Sequence, residues 1–159
     1  MPSAYPSHLL FVLGMHRSGT SALSRIFNLL GFSAPKTLMK ANASNQKGHW
    51  ESTPIARLND EILAAMQLDW SDWSVGNTAG LRAKARANFY DDILSTLAQE
   101  FPEGRPAVVK DPRICRLMDF YRQALEEETV AASAIIPVRN PLAVMRSLEA
   151  RNGMSETDA

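Results

Sequence analysis

A single cysteine, Cys115, stands among 159 residues, so an intrachain disulfide and a cysteine-rich metal centre are both excluded, and a reducing compartment is compatible with the chain. Cys115 itself reads as a small buried apolar residue of a helix. No apolar run approaches the roughly 20 residues needed to span a bilayer, and no basic stretch precedes a long apolar one at the N-terminus. The expectation is a soluble, cytoplasmic protein without a membrane partner. An excess of charge is also missing. Seventeen basic residues balance seventeen acidic ones, which removes the electrostatic footprint of a nucleic-acid binder and requires any anion site to be local. Internal repeats and low-complexity tracts are absent. What remains is ordinary globular composition, 45% apolar and 21% charged, with a length suited to one domain over 1–159.

The segment 9–25, LLFVLGMHRSGTSALSR, is the most informative stretch. Leu9 to Leu13 is a short apolar run that stops at Gly14. A polar turn and a helical pattern follow, which predicts strand, loop and helix. Such a junction binds phosphate or sulfate, because loop N–H groups converge and the helix N-terminus adds about half a positive charge. Gly14 to Ser21 has the spacing of the nucleoside-triphosphate P-loop, yet Thr20 occupies the place of its lysine and the positive charge has moved forward to Arg17. Leu23, Ile26, Phe27 and Leu30 recur at the spacing of one buried helical face, and Gly31 suits a left-handed C-terminal cap.

Further along, 32–49 reads as a long functional loop with Lys36, Lys40 and Lys47. Ser52 or Thr53 is the N-cap candidate of a helix with Pro54 in its first turn and Ile55, Leu58, Ile62, Ala65 and Met66 as its apolar stripe. Trp70 and Trp73 either wall a pocket or cover one end of the core. A third helix runs from Leu81 to Phe101. Ala107 to Lys110 predicts a second strand, followed by a helix with Ile114, Leu117, Met118, Tyr121 and Leu125 inward. Ala134 to Val138 predicts a third strand, followed by a helix capped by Asn140 with Leu142, Met145 and Leu148 on its apolar face. Strands alternating with helices imply a parallel sheet covered on both sides, with a ligand crevice at the carboxyl ends of the strands. Each strand ends in a charged motif, which brings Arg17, Lys110, Arg113 and Arg139 to one crevice, and such a cluster suits a ligand with two separated anionic groups.

These motifs resemble a family. Gly14-Met15-His16-Arg17-Ser18-Gly19-Thr20-Ser21 resembles the 5′-phosphosulfate loop of PAPS-dependent sulfotransferases, and Val138-Arg139-Asn140-Pro141 with Ser147 resembles their 3′-phosphate motif. Gly48-His49-Trp50-Glu51 and Lys110-Asp111-Pro112-Arg113 resemble segments of bacterial members. The resemblance covers about residues 8–150. It implies a P-loop NTPase-like three-layer α/β fold with a parallel central sheet, with the C-terminal part of the usual domain absent. The implied reaction moves a sulfuryl group from 3′-phosphoadenosine 5′-phosphosulfate (PAPS) to a hydroxyl or amine of a small-molecule or carbohydrate acceptor, leaving PAP and requiring no metal. By carry-over Arg17 contacts the leaving phosphate and the transferring sulfate, Ser18, Gly19, Thr20 and Ser21 hold the 5′-phosphate, and Arg139 and Ser147 hold the 3′-phosphate. Lys110 neutralises sulfuryl oxygens and Glu51 is the candidate general base.

Each assignment has a plainer counterpart. Glu51 is also a carboxylate favoured by a helix start. Lys110 and Asp111 also read as a surface pair, and Ser147 as an ordinary helix residue. Arg113 is kept out of the site, as a residue that pins Glu51 or Asp111. His16 and His49 flank the loop without metal-ligand spacing. Two other functions compete: a nucleotide-binding or interaction module without turnover, and an ATP-dependent kinase, which Thr20 at the lysine position disfavours. A second copy of the chain completing the site makes a homo-oligomer a further expectation.

Overall fold

The computed structural model describes residues 5–41, 48–72 and 79–152. Trp73, Lys47 and the first four residues of the expected N-terminal lead-in lie outside the described residues. The order of elements is β1 (His8–Val12), α1 (Thr20–Leu29), α2 (Thr53–Ala65), α3 (Ala79–Glu100), β2 (Pro106–Val109), α4 (Ile114–Glu127), β3 (Ala132–Ile135) and α5 (Pro141–Asn152). The three strands form one parallel sheet in the order β2-β1-β3. The expected α/β architecture with a parallel sheet flanked by helices is therefore observed. β1 is central because it is the most apolar strand: Leu9 to Val12 are all buried, as a strand covered on both faces must be. Leu9 pairs in register with Ala107 on one side and Ala132 on the other.

Strand alternation sends Leu9, Phe11, Ala107 and Val109 into the main core, where they meet Ile55, Leu58 and Ile62 of α2, Ile93 and Leu97 of α3, and Leu117 and Tyr121 of α4. The Tyr121 ring meets Phe11 edge-on at 5.7 Å, and its hydroxyl donates to Asn59 Oδ1 at 2.8 Å, so the polar end is not stranded in the core. Leu10, Val12 and Val108 are buried on the opposite face, and α1 packs against β1 and β2. Ser33 adds a one-residue bridge to the outer side of β2. Asp119 joins the α3 and α4 layers by accepting from Arg82 and Arg86. Burial alone would raise the Asp119 carboxyl, but the two guanidinium groups outweigh it and hold its pKa below the ordinary value.

Helix ends follow their sequence signals. Ser52 caps α2 through a bond from Ile55 N–H to its hydroxyl, with Pro54 in the first turn. Gly31, at φ 99°, closes α1 with bonds from Gly31 N–H to Asn28 C=O and from Phe32 N–H to Phe27 C=O, a Schellman arrangement. Asn140 caps α5 by accepting from Leu142 N–H at 2.9 Å.

Four expectations are corrected. The α1 stripe is not a buried face: Ile26 is 51% and Leu30 70% exposed, and the small residues Thr20 and Ser24 are buried instead. Ser24 donates to the Thr20 carbonyl at 3.0 Å, so this side is buried without an unpaired hydroxyl. The third strand ends at Ile135, which leaves Ile136 and Val138 exposed beyond it, because pairing with β1 stops where β1 turns into its loop. On α5 the inward residues are Val144 and Leu148, while Leu142 is exposed. On α2 Leu63 is buried and Ala65 exposed.

Ser52 also donates from its hydroxyl to the buried Glu100 carboxylate at 2.8 Å, which accepts Thr37 N–H at 3.1 Å as well. Ser52→Ala thus removes a cap and one of the partners of a buried carboxylate. A loss of about 2–3 kcal/mol in urea unfolding is expected, and a loss under about 0.5 kcal/mol would show that neither bond matters.

Candidate functional site

The carboxyl ends of β1 and β2 open into a cavity of about 220 Å³ lined by His16, Arg17, Gly19, Thr20, Ser21, His49, Glu51, Lys110 and Arg139. Of the nine residues expected at the site, seven line this one cavity; the other two are Ser18 and Ser147. Ser18 turns away: its hydroxyl and its N–H both donate to the Met15 carbonyl, at 2.6 and 3.2 Å, so it shapes the loop. Ser147 lines a neighbouring cavity of about 450 Å³ with Arg139, Asn140, Leu142, Ala143 and Arg146. Arg139 belongs to both cavities. Arg146 is a cation that the sequence pattern did not single out; its place one residue before Ser147 on α5 was the available signal.

The loop after β1 is held by close backbone approach and two left-handed residues. A methyl on Gly14 would come to 3.0 Å from Ser18 Oγ and 3.1 Å from Thr20 Cγ2, so a larger residue there would push both side chains outward. Gly14 N–H donates to Cys115 Sγ at 3.1 Å, which corrects the expectation for Cys115: it sits on α4, but is exposed and faces the loop. Arg17 adopts φ 67° and Gly19 φ 96°. Gly19 is the N-cap of α1 and no side chain caps this helix; the first bond of its ladder runs from Leu23 N–H to Gly19 C=O. Thr20 to Ala22 lie ahead of that bond, where helix N–H groups have no intrahelical acceptor and favour an anion.

Arg17 connects the two cavities. Its Nε donates to Ser147 Oγ at 2.8 Å, and its carbonyl accepts from Arg139 Nη1 at 2.7 Å. The 48–51 segment forms the facing wall. Trp50 adopts φ 60° and lies under the Arg25 guanidinium at 5.1 Å, and the His49 carbonyl accepts from Ser21 Oγ at 3.0 Å and Lys110 Nζ at 3.3 Å. His49 Nε2 is buried without a hydrogen-bond partner. Trp70 is 48% exposed and meets the His16 ring edge-on at 5.6 Å; it belongs neither to the core cluster nor to the lining of either cavity.

At the floor Lys110 and Glu51 form an ion pair with side chains 5% and 6% exposed. This overturns the reading of Lys110 and Asp111 as a surface pair: Asp111 is fully buried and bonds Arg113 instead, whose Nη1 donates at 3.0 Å and whose N–H donates at 2.8 Å. Arg113 also pairs with Asp60 at 2.6 Å. Of its two expected targets it thus takes Asp111, and it stays off the cavity lining. Burial works against the charged Arg113, but Asp111 and Asp60 outweigh it and raise its pKa. Burial pushes the Asp111 carboxyl up to about 6, opposed by Arg113 and reinforced by the nearby Glu51 charge. Among the described residues no cluster of histidine, cysteine or carboxylate side chains has the make-up of a metal site.

The Asp111 shift predicts a pH dependence. The folded-state value, about 6, lies above the ordinary value of 3.8, so between those values the native state holds a proton that the unfolded chain has released. The contribution of this group is fully present below about pH 4, falls as pH rises and is lost above about pH 6. The stability of wild type minus that of Asp111→Asn, measured by urea unfolding, is expected to fall across that window by at most roughly 3 kcal/mol. A flat difference would remove the assigned shift.

In comparisons with known protein families and with curated proteins, the chain matches none.

Proposed function

We propose that the chain is a P-loop-like sulfotransferase that moves a sulfuryl group from PAPS to an acceptor hydroxyl or amine. The observation that carries this reading is the sharing of Arg139 between two adjoining cavities, one at the start of α1 and one along α5. Two anion sites joined by one guanidinium, with Arg17 bonded to Ser147 between them, suit a donor with a 5′-phosphosulfate and a 3′-phosphate. Such a ligand carries no triphosphate, which agrees with Thr20 in place of a P-loop lysine.

In this reading the free N–H groups at the start of α1 and Arg17 hold the 5′-phosphate that departs, while Arg139, Arg146 and Ser147 hold the 3′-phosphate. Lys110 serves two partners in turn. Its ammonium pairs with Glu51; sulfuryl oxygens entering the cavity compete for the same ammonium. Lys110 then offsets charge on the transferring group, and the Glu51 carboxylate, relieved of its cation, accepts the acceptor's proton. The acceptor oxygen or nitrogen forms its bond to sulfur as the bond from sulfur to the phosphate oxygen breaks, and PAP leaves with that electron pair. Positioned cations and donors of this kind contribute about 10²–10³ each in rate, and a general base about 10²–10⁴. A second reading, binding without turnover, draws on the same ion pair, since a carboxylate locked to Lys110 does not act as a base.

Calorimetric titration separates these readings. PAP is expected to bind more tightly than ATP, and Arg139→Ala to weaken PAP by about tenfold or more, the cost of one or two charge-assisted bonds. Tighter ATP binding, or indifference to Arg139→Ala, would sink the proposal. Glu51→Gln is expected to lower transfer of labelled sulfate by about 10²–10⁴ while PAP binding survives. PAP binding with no transfer to any acceptor by the unaltered chain would favour the binding module.

A further inference from the structure

We infer that the peptide unit between His49 and Trp50 turns over when an oxyanion enters the cavity at the start of α1, so that the Trp50 N–H replaces the His49 carbonyl there and donates to the anion. The inference rests on the proposed reading only in requiring an oxyanion in that cavity.

Among the described residues four besides glycine hold a positive φ: Arg17, Trp50, Gln67 and Thr129. Gln67 and Thr129 directly follow the C-caps of α2 and α4, where a left-handed residue is ordinary. Trp50 has no such place. It lies ahead of α2 at φ 60°, a conformation that is a genuine outlier for a bulky side chain. Such strain persists only where the surroundings enforce it, and here two donors do so. The His49 carbonyl accepts from Ser21 Oγ at 3.0 Å and from Lys110 Nζ at 3.3 Å, and His49, Ser21 and Lys110 all line the cavity. The Trp50 N–H, on the other side of the same peptide, meets no acceptor among the described residues.

An oxyanion changes this balance. It draws on the same hydroxyl and ammonium, and it repels a carbonyl oxygen beside it. A serine hydroxyl has one proton to donate, so a bond from Ser21 to the anion is lost to His49. The peptide is a rigid plane, and a half-turn about the line between its two Cα atoms alters only ψ of His49 and φ of Trp50. φ of Trp50 then passes from 60° to about −120°, inside the broad β region, and the strain is released. The Cα atoms and side chains keep their places, so the turn by itself breaks neither the Glu51–Lys110 pair nor the contact of Trp50 with Arg25. The flanking residues suit a motion confined to this unit. Gly48, at φ 84°, has open space around it, whereas Glu51 is fixed by the bond from Met39 N–H to its carbonyl at 2.8 Å. The anion gains a donor where an acceptor stood.

A pair of variants isolates the backbone. Trp50→Gly and Trp50→Ala both delete the indole, but only alanine is strained at a positive φ, and neither is strained when extended. With a change of sign on binding, the Trp50→Ala chain is expected to bind pyrophosphate and PAP about tenfold more tightly than the Trp50→Gly chain in calorimetric titration. Equal affinities, or tighter binding by Trp50→Gly, would overturn the inference. Far-ultraviolet circular dichroism verifies that both variants fold. Should either not fold, the unaltered chain answers by nuclear magnetic resonance: the three-bond coupling between the Trp50 amide and α protons should rise on saturation with pyrophosphate, and an unchanged coupling would overturn the inference equally. The proposed reaction is judged apart from this. PAP that binds more tightly than ATP and responds to Arg139→Ala, with no difference between the two Trp50 variants, leaves the reaction standing and removes the peptide turn. A difference between the variants with pyrophosphate, when PAP binds no more tightly than ATP, keeps the turn and removes the reaction. Binding of neither anion removes both.

Discussion

Burying an ammonium and a carboxylate together ties the functional half of this molecule into one piece. Glu51 lies immediately before the α2 cap and Lys110 immediately after β2, and neither side chain retains appreciable contact with water. A charge buried alone costs several kcal/mol, so each group holds the other in place. The consequence is geometric. The 48–51 segment is drawn against the end of β2, where its His49 carbonyl is shared by Lys110 and by Ser21 of α1. One ion pair thereby registers α1, α2 and β2 against one another around a single cavity.

Around that anchor the polar groups form two tiers with different work. Asp111, Arg113 and Asp60 lie behind the cavity and off its lining, and they satisfy one another: Asp111 is buried, and Arg113 bridges it to the half-exposed Asp60. Arg17, Arg139 and Arg146 lie in front, where their guanidinium groups border the cavities. Only the front tier lines the cavities. The loop that carries Arg17 is strained locally, with a non-glycine residue at φ 67°, and is held by Gly14, Ser18 and the contact with Cys115. Strain of this kind persists only when the surroundings over-determine it.

Much of this was legible in the residue order. The strand-loop-helix junction at 9–25, the caps of α2 and α5, the Gly31 stop and the parallel α/β architecture all follow from periodicity and local hydrogen-bonding chemistry. The convergence of Arg17, Lys110 and Arg139 followed from one rule, that the carboxyl ends of parallel strands share a crevice. Three features were not legible. The pairing of Glu51 with Lys110 joins residues 59 positions apart, and no local pattern indicates which carboxylate a lysine meets. The outward face of α1 was misread because apolar spacing states that a face wants cover, not that cover is present. Cys115 was misread because its composition-level tendency to be buried says nothing of the Gly14 N–H that it meets.

Sequence alone therefore determined what depends on neighbours within a few residues: which segments are strands or helices, where helices α1, α2 and α5 are capped, and which loops present N–H groups and cations. Tertiary structure decided which charges neutralise each other and which border a cavity, since that depends on distances across the sheet and on exclusion of water. It made the Glu51–Lys110 contact a buried pair, gave Asp111 to Arg113, and put Arg17 between two cavities. The same cations in the same order, with other pairings, would make a different site.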